Sequence, residues 1–201
     1  MFIAKYELDV NHPKVSQALA NGDAMHKLVW GLFDGLNDFA ISREELNILY
    51  RVIPEMEGMN ACLEVHAEVK PNNCPSYLKE RYCVTDKNMR EKLERLGIVK
   101  FNILLNPSKK VDGKRRSLKN YKDRINWLNN MANKNGFKIL RVDEKNRDGL
   151  DITKGGTSWF FKAVEYQGVL EITDFVTFFE AVKKGIGSGK AYGLGMFLFG
   201  V

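Results

Sequence analysis

Acid–base chemistry near neutral pH, without a metal, needs a side chain that exchanges a proton there, and histidine is the one whose ordinary pKa does so. The 201-residue chain has three, His12, His26 and His66. His12 precedes Pro13 in what reads as a loop, and His66 stands between Glu64 and Glu68 on a strand face, a pattern that predicts a solvated position. His26 is different. It lies in residues 24–33, where Met25, Leu28, Val29 and Leu32, with Leu36 just beyond, recur at helical spacing, with His26 near one edge of the stripe and Trp30 one turn further along that edge. A lone histidine on a helix edge fits a proton-transfer role and a plain surface role alike. Metal chemistry is not expected: there is no His-x-x-x-His, no carboxylate cluster beside His26, and Cys62, Cys74 and Cys83 include no Cys-x-x-Cys pair. No cofactor is expected either. The odd, scattered cysteines read as reduced thiols of a cytoplasmic protein.

Glycine supplies the second group. Gly185, Gly187, Gly189, Gly193 and Gly195, five of 17 glycines, fall within eleven residues around Lys190. A phosphate-binding loop requires strand, glycines and then a helix N-terminus. Here the order is reversed. Phe175, Phe178, Phe179 and Val182 mark a preceding helix, capped by Thr173 or Asp174 and ending in Lys183-Lys184-Gly185, and a short apolar strand, residues 195–199, follows. Lys190 is also followed by Ala191, not Ser or Thr, so both nucleotide-loop readings fail. A connection whose glycines let backbones pack closely stays open.

The third group is charge. The net charge is +6, and residues 109–124 hold eight basic side chains (Lys109, Lys110, Lys114, Arg115, Arg116, Lys119, Lys122, Arg124) against two acids, Asp112 and Asp123. Read as a loop, this segment has little to bury and much to offer a phosphate backbone, although a solvated basic loop is the plainer alternative. No helix-turn-helix recognition helix argues for DNA. No RNP1 aromatic pattern argues for base stacking.

The elements that must position these groups follow from periodicity. Residues 1–10 alternate as a strand; a loop runs to about Asp23; residues 48–53 and 61–70 read as strands joined by a turn around residues 54–58; residues 76–79 form a vestigial helix; residues 82–84 close the unit. Residues 99–105 then read as a strand, Tyr121, Ile125, Leu128 and Ala132 as a helix stopping at Asn135-Gly136, and residues 137–142 and 159–172 as strands before the last helix and strand. The order predicts an α+β protein of two tandem ferredoxin-like (RRM-like, βαββαβ) domains, residues 1–88 and 96–201. No apolar run approaches the ~18 residues of a membrane span.

Several motifs together carry a resemblance. His26-x-x-x-Trp30-x-Leu32-Phe33, Leu105-Asn106-Pro107 followed by Gly113-Lys114-Arg115, Trp127-Leu128, Gly168-Val169-Leu170 and Gly185-Ile186-Gly187-x-x-Lys190-x-x-Gly193-x-Gly195 resemble the CasE family, pre-crRNA endoribonucleases of the type I-E Cascade complex and part of the RAMP superfamily. The resemblance runs through nearly the whole chain. It implies metal-independent cleavage of CRISPR repeat RNA at the base of its stem-loop, leaving a 2′,3′-cyclic phosphate. It also implies retention of the product hairpin, and association with other Cascade subunits by a protein that is monomeric when free. His26 matches the catalytic histidine, and residues 114–119 match the basic stem-binding region, to which Lys109, Lys110, Lys27 and Lys190 are added as RNA-binding candidates. The glycine loop is expected near the bound RNA. One position departs: where family members often carry a tyrosine three residues before the histidine, this chain has Asp23.

Overall fold

The structure, a computed structural model, describes residues 1–35, 46–54, 61–154 and 156–200. In chain order the elements are β1 (Phe2–Leu8), α1 (Pro13–Ala20), α2 (Gly22–Trp30), β2 (Leu49–Pro54), β3 (Ala61–Ala67), β4 (Leu78–Thr85), α3 (Lys87–Leu96), β5 (Ile98–Leu105), β6 (Ser108–Val111), β7 (Lys114–Ser117), α4 (Tyr121–Lys134), β8 (Phe137–Lys154), β9 (Thr157–Ile172), α5 (Phe175–Lys184) and β10 (Phe197–Phe199). They form two compact units. The first holds Met1–Lys87, Leu150–Phe160 and Ala191–Gly193; the second holds Asn88–Gly149, Phe161–Lys190 and Leu194–Val201.

In the first unit β1 pairs antiparallel with β3 and β4, and β2 with β3, giving the order β2-β3-β1-β4. Alternation sends Ala4, Tyr6 and Leu8 of β1 and Leu63, Val65 and Ala67 of β3 to one face. There they share a core with Met25, Leu28 and Val29 of α2. Each such large apolar side chain, once fully buried, contributes roughly 1.5–3 kcal/mol relative to exposure.

Three expectations for this unit are corrected. Residues 13–20 are helix, not loop: Pro13 sits at the helix start, where its missing N–H costs nothing, and the His12 side chain accepts from Lys14 N at 3.3 Å as the cap. Residues 76–79 are not a helix, because Ser76-Tyr77 is a turn, held by Leu78 N donating to Pro75 O at 2.9 Å, and β4 begins at Leu78. His66 is not solvated. It is 1% exposed, set opposite Ile3 on one neighbouring strand and Leu49 on the other. Leu36 and most of the turn read at residues 54–58 lie outside the described residues.

The second unit repeats the strand order as β10-β5-β9-β8, with the hairpin β6-β7 inserted between β5 and α4. Phe137, Phe178 and Phe197 meet edge to face at its centre, with centroid separations of 5.5–5.6 Å. Asp174 caps α5, accepting from Thr177 N at 3.1 Å and from Thr177 Oγ1 at 2.7 Å. Strand β8 runs well past the expected residues 137–142, β9 begins two residues before the expected 159–172, and α3 fills the segment between the two expected domains. Among the described residues no helix is long and apolar enough to cross a membrane.

Candidate functional site

Asn21 ends α1 and begins α2, its extended backbone (φ −142°, ψ 121°) breaking the helix while its Oδ1 accepts from Asp23 N at 2.8 Å. From that fixed start, His26 comes half-buried on α2, with Nδ1 3.1 Å from the carbonyl oxygen of Ala191. A carbonyl can only accept, so Nδ1 carries the hydrogen. In the neutral ring the lone pair is then on Nε2, the arrangement a general base needs; in the cation Nε2–H is the acid. The Tyr192 ring lies 6.0 Å from the His26 ring, tilted by 43°.

Ala191–Gly193 groups with the first unit and is seated there by shape. Gly193 has φ +81°, and a Cβ on it would stand 2.9 Å from Cε2 of the buried Tyr50, so only glycine lets the turn settle on that ring. A Cβ on Gly22, at the head of α2, would come 3.5 Å from Tyr192 Cδ1.

Position 23 resolves the departure noted in the sequence. Asp23 is 5% exposed, and its Oδ2 lies 2.7 Å from Lys27 Nζ one turn on. The carboxylate near His26 is thereby neutralised, and the Lys27 ammonium, expected as an RNA contact, is held by Asp23. The other two histidines are engaged elsewhere: His12 stacks on Tyr77 with centroids 4.8 Å apart, and His66 Nε2 lies 3.0 Å from Glu64 Oε1. No group of three or more His, Cys, Asp or Glu among the described residues is arranged to hold a metal ion.

The remaining glycines shape a closed loop in the second unit. Ile186 N donates to Gly195 O at 3.0 Å and Gly195 N to Leu104 O at 2.8 Å. Gly195 has φ +86°, and a Cβ there would stand 2.4 Å from Ile186 O. Gly185, Gly187 and Gly189 also have positive φ. Close backbone packing, the reading left open by the sequence, is what Gly195 provides. Lys190 is half-buried in a 3-10 turn, Lys190–Tyr192.

The basic segment is a hairpin, not a loop. Asp112 (φ 50°) and Gly113 (φ 76°) make a two-residue turn in which both residues are left-handed, the geometry that suits the strand twist. Lys109 pairs with Arg116 and Lys110 with Arg115, so like charges stand directly opposite on both faces of the ribbon. Such rungs destabilise a free hairpin. It is held instead at its base, by Leu118 N donating to Pro107 O at 2.9 Å, by the buried Leu118, and by Arg115 Nη1 donating to Ser108 Oγ at 3.2 Å. Lys119 is exposed beyond it. Arg124, counted with the basic run, does not belong to its surface. It is 6% exposed, donates through Nε to both oxygens of Glu144 at 2.9 Å, and donates through Nη1 to the Lys119 carbonyl. The Glu144 hydrogen bond raises its pKa further.

Two four-stranded antiparallel sheets of identical strand order, each with helix between its first and second strands, define a tandem ferredoxin-like α+β protein. A CRISPR endoribonuclease Cse3 solved with a 19-nucleotide RNA has the same fold, with a TM-score of 0.82 at 20% identity and full coverage of both chains. A chain of a CRISPR RNA-guided surveillance complex in a pre-nicking state does too, with a TM-score of 0.70 at 20% identity over the full length of both. A family described as CRISPR associated protein matches residues 1–199, and the chain belongs to that family. By sequence it is 27% identical over 115 residues to the CRISPR-associated endoribonuclease Cse3 of Thermus thermophilus. That match covers 49% of this chain and 53% of the relative, so the chain spans about half the length of the curated relative it matches.

Proposed function

We propose that this protein is an endoribonuclease that cuts CRISPR repeat RNA at the base of its stem-loop and keeps the product hairpin, with His26 as the proton-transfer residue. The observation that carries the reading is the His26 imidazole, oriented on α2 with Nδ1 on the Ala191 carbonyl. The 2′-hydroxyl preceding the scissile phosphate attacks phosphorus and loses its proton, and the 5′-oxygen of the next nucleotide leaves and gains one. The products are a 2′,3′-cyclic phosphate and a 5′-hydroxyl, with no metal required. His26 Nε2 serves one of these transfers, a role typically worth ~10²–10⁴ in rate.

The hairpin β6-β7 supplies affinity. With Lys109 and Arg116 on one face and Lys110 and Arg115 on the other, it offers cations in two directions, which suits a ribbon lying between the two phosphate ridges of an A-form stem. Lys114, Lys119 and Lys190 extend this set. In domain terms, residues 1–88 carry the histidine and residues 96–201 the hairpin and glycine loop. The fold shared with a surveillance-complex chain supports a place for the protein, hairpin in hand, among other Cascade subunits.

The test uses the cognate repeat RNA at stoichiometric protein in EDTA. Wild type gives a discrete product ending in a cyclic phosphate, and His26→Ala binds the hairpin but cuts it at least ~10²-fold more slowly. Tight binding with no cutting by wild type would reduce the protein to a binding subunit.

A further inference from the structure

Position 23, the tyrosine of the resembled family, brings no aromatic ring in this chain: its carboxylate is 2.7 Å from Lys27 Nζ. A tyrosine ring nevertheless stands at His26. It comes from Tyr192, in the segment whose carbonyl meets His26 across 165 residues of sequence. We propose that Tyr192 is a positioning residue for His26: its ring walls the imidazole while the adjoining Ala191 carbonyl holds the hydrogen on Nδ1, so that Nε2 is the atom presented for proton transfer. This rests on the endoribonuclease reading.

The geometry gives this segment few alternatives. Gly193, next in the chain, is pinned against the buried Tyr50 ring, where a side chain would collide at 2.9 Å. Tyr192 itself runs beside Gly22 at the head of α2, and a Cβ on Gly22 would also stand 3.0 Å from Ile152 Cγ1. Carbonyl and ring are therefore delivered to the same imidazole by consecutive residues of one turn whose far side is fixed. A carbonyl fixes one ring atom. The tilted Tyr192 ring stands beside that hydrogen bond and limits the swing of the imidazole about it.

The role assigned is to the ring, not the hydroxyl, and this makes it separable. Tyr192→Ala should lower the single-turnover cleavage rate by about 10–10²-fold, the scale of a reacting group displaced by an ångström or less, with hairpin affinity unchanged. Tyr192→Phe, which keeps the ring, should rescue it. Nitrogen-15 NMR of the His26 ring, recorded above its titration, should show a protonated Nδ1 and an unprotonated Nε2 in wild type and Tyr192→Phe, and a gain in the Nε2-protonated tautomer in Tyr192→Ala. Equal rates and tautomers in wild type and Tyr192→Ala would overturn the proposal, as would a Phe variant as slow as the Ala variant. Wild type and His26→Ala run beside them keep the two readings apart. If wild type does not cut, or His26→Ala does, the enzymatic reading falls, while the tautomer spectra still decide whether Tyr192 positions the ring.

Discussion

Replacing Lys109, Lys110 and Arg116 with glutamine separates what the hairpin does for RNA from what it does for itself. The three changes neutralise both members of the Lys109–Arg116 rung and one member of the Lys110–Arg115 rung, and leave Arg115, whose guanidinium donates to Ser108 Oγ. If each cation meets one phosphate, the log–log salt dependence of hairpin binding should flatten by about 2.7, at ~0.9 per contact. Near 0.1 M salt that corresponds to an affinity loss on the order of 10²–10³. Stability should move the other way. Relief of two repulsive exposed rungs contributes about a few tenths of a kcal/mol each. That raises Tm by roughly 1–3 °C in a chain of this size. Fluorescence anisotropy against a salt series gives the slope, and calorimetry gives Tm. An unchanged slope would mean the ribbon never meets the RNA; a lower Tm would mean that the cations hold the fold in a way the cross-strand pairing does not show.

Glu144→Gln leaves the Arg124 guanidinium buried without its carboxylate and should cost ~3–5 kcal/mol in urea titrations. Arg124→Met with Glu144→Leu should recover most of that, since the pair is then removed rather than broken. Hydrogen bonds from the Thr177 hydroxyl and amide hold the Asp174 carboxyl below the usual aspartate value. A depressed folded pKa contributes stability above the unfolded pKa and loses it as pH falls through the folded one, so Asp174→Asn should unfold more readily than wild type at neutral pH, with the difference closing in acid.

Much of the scaffold was legible because its segments are locally consistent. The strand at residues 99–105, the helix from Tyr121 and the helix capped at Asp174 each combine one clear period with a recognisable stop, and all three stand where the pattern puts them. Misreadings fell where one residue supports two structures. Pro13 reads as a breaker but also starts a helix, and His12 completes that start with its side chain. Asp112-Gly113 is a hairpin signal, but the flanking run of charges hides the alternation that would have exposed β6 and β7. His66 sits on the nominally polar side of β3, and its burial comes from Ile3 and Leu49 on neighbouring strands, which a single strand does not reveal. At the site, residue type alone raised His26. Its partner is a backbone carbonyl from the other end of the chain, and no side-chain pattern encodes that contact.

In the proposed reaction the RNA's own 2′-hydroxyl, with His26 handling a proton, breaks the phosphodiester. A set of cognate repeat RNAs, each carrying one 2′-deoxy substitution at a successive nucleotide, tests it most directly in single-turnover reactions with EDTA present. At one position, immediately 5′ of the scissile phosphate, the deoxy substitution should abolish cutting by wild type while hairpin binding is unchanged. Cleavage of every RNA in the set, including that one, would contradict it, since the nucleophile would then be something other than the RNA's own hydroxyl.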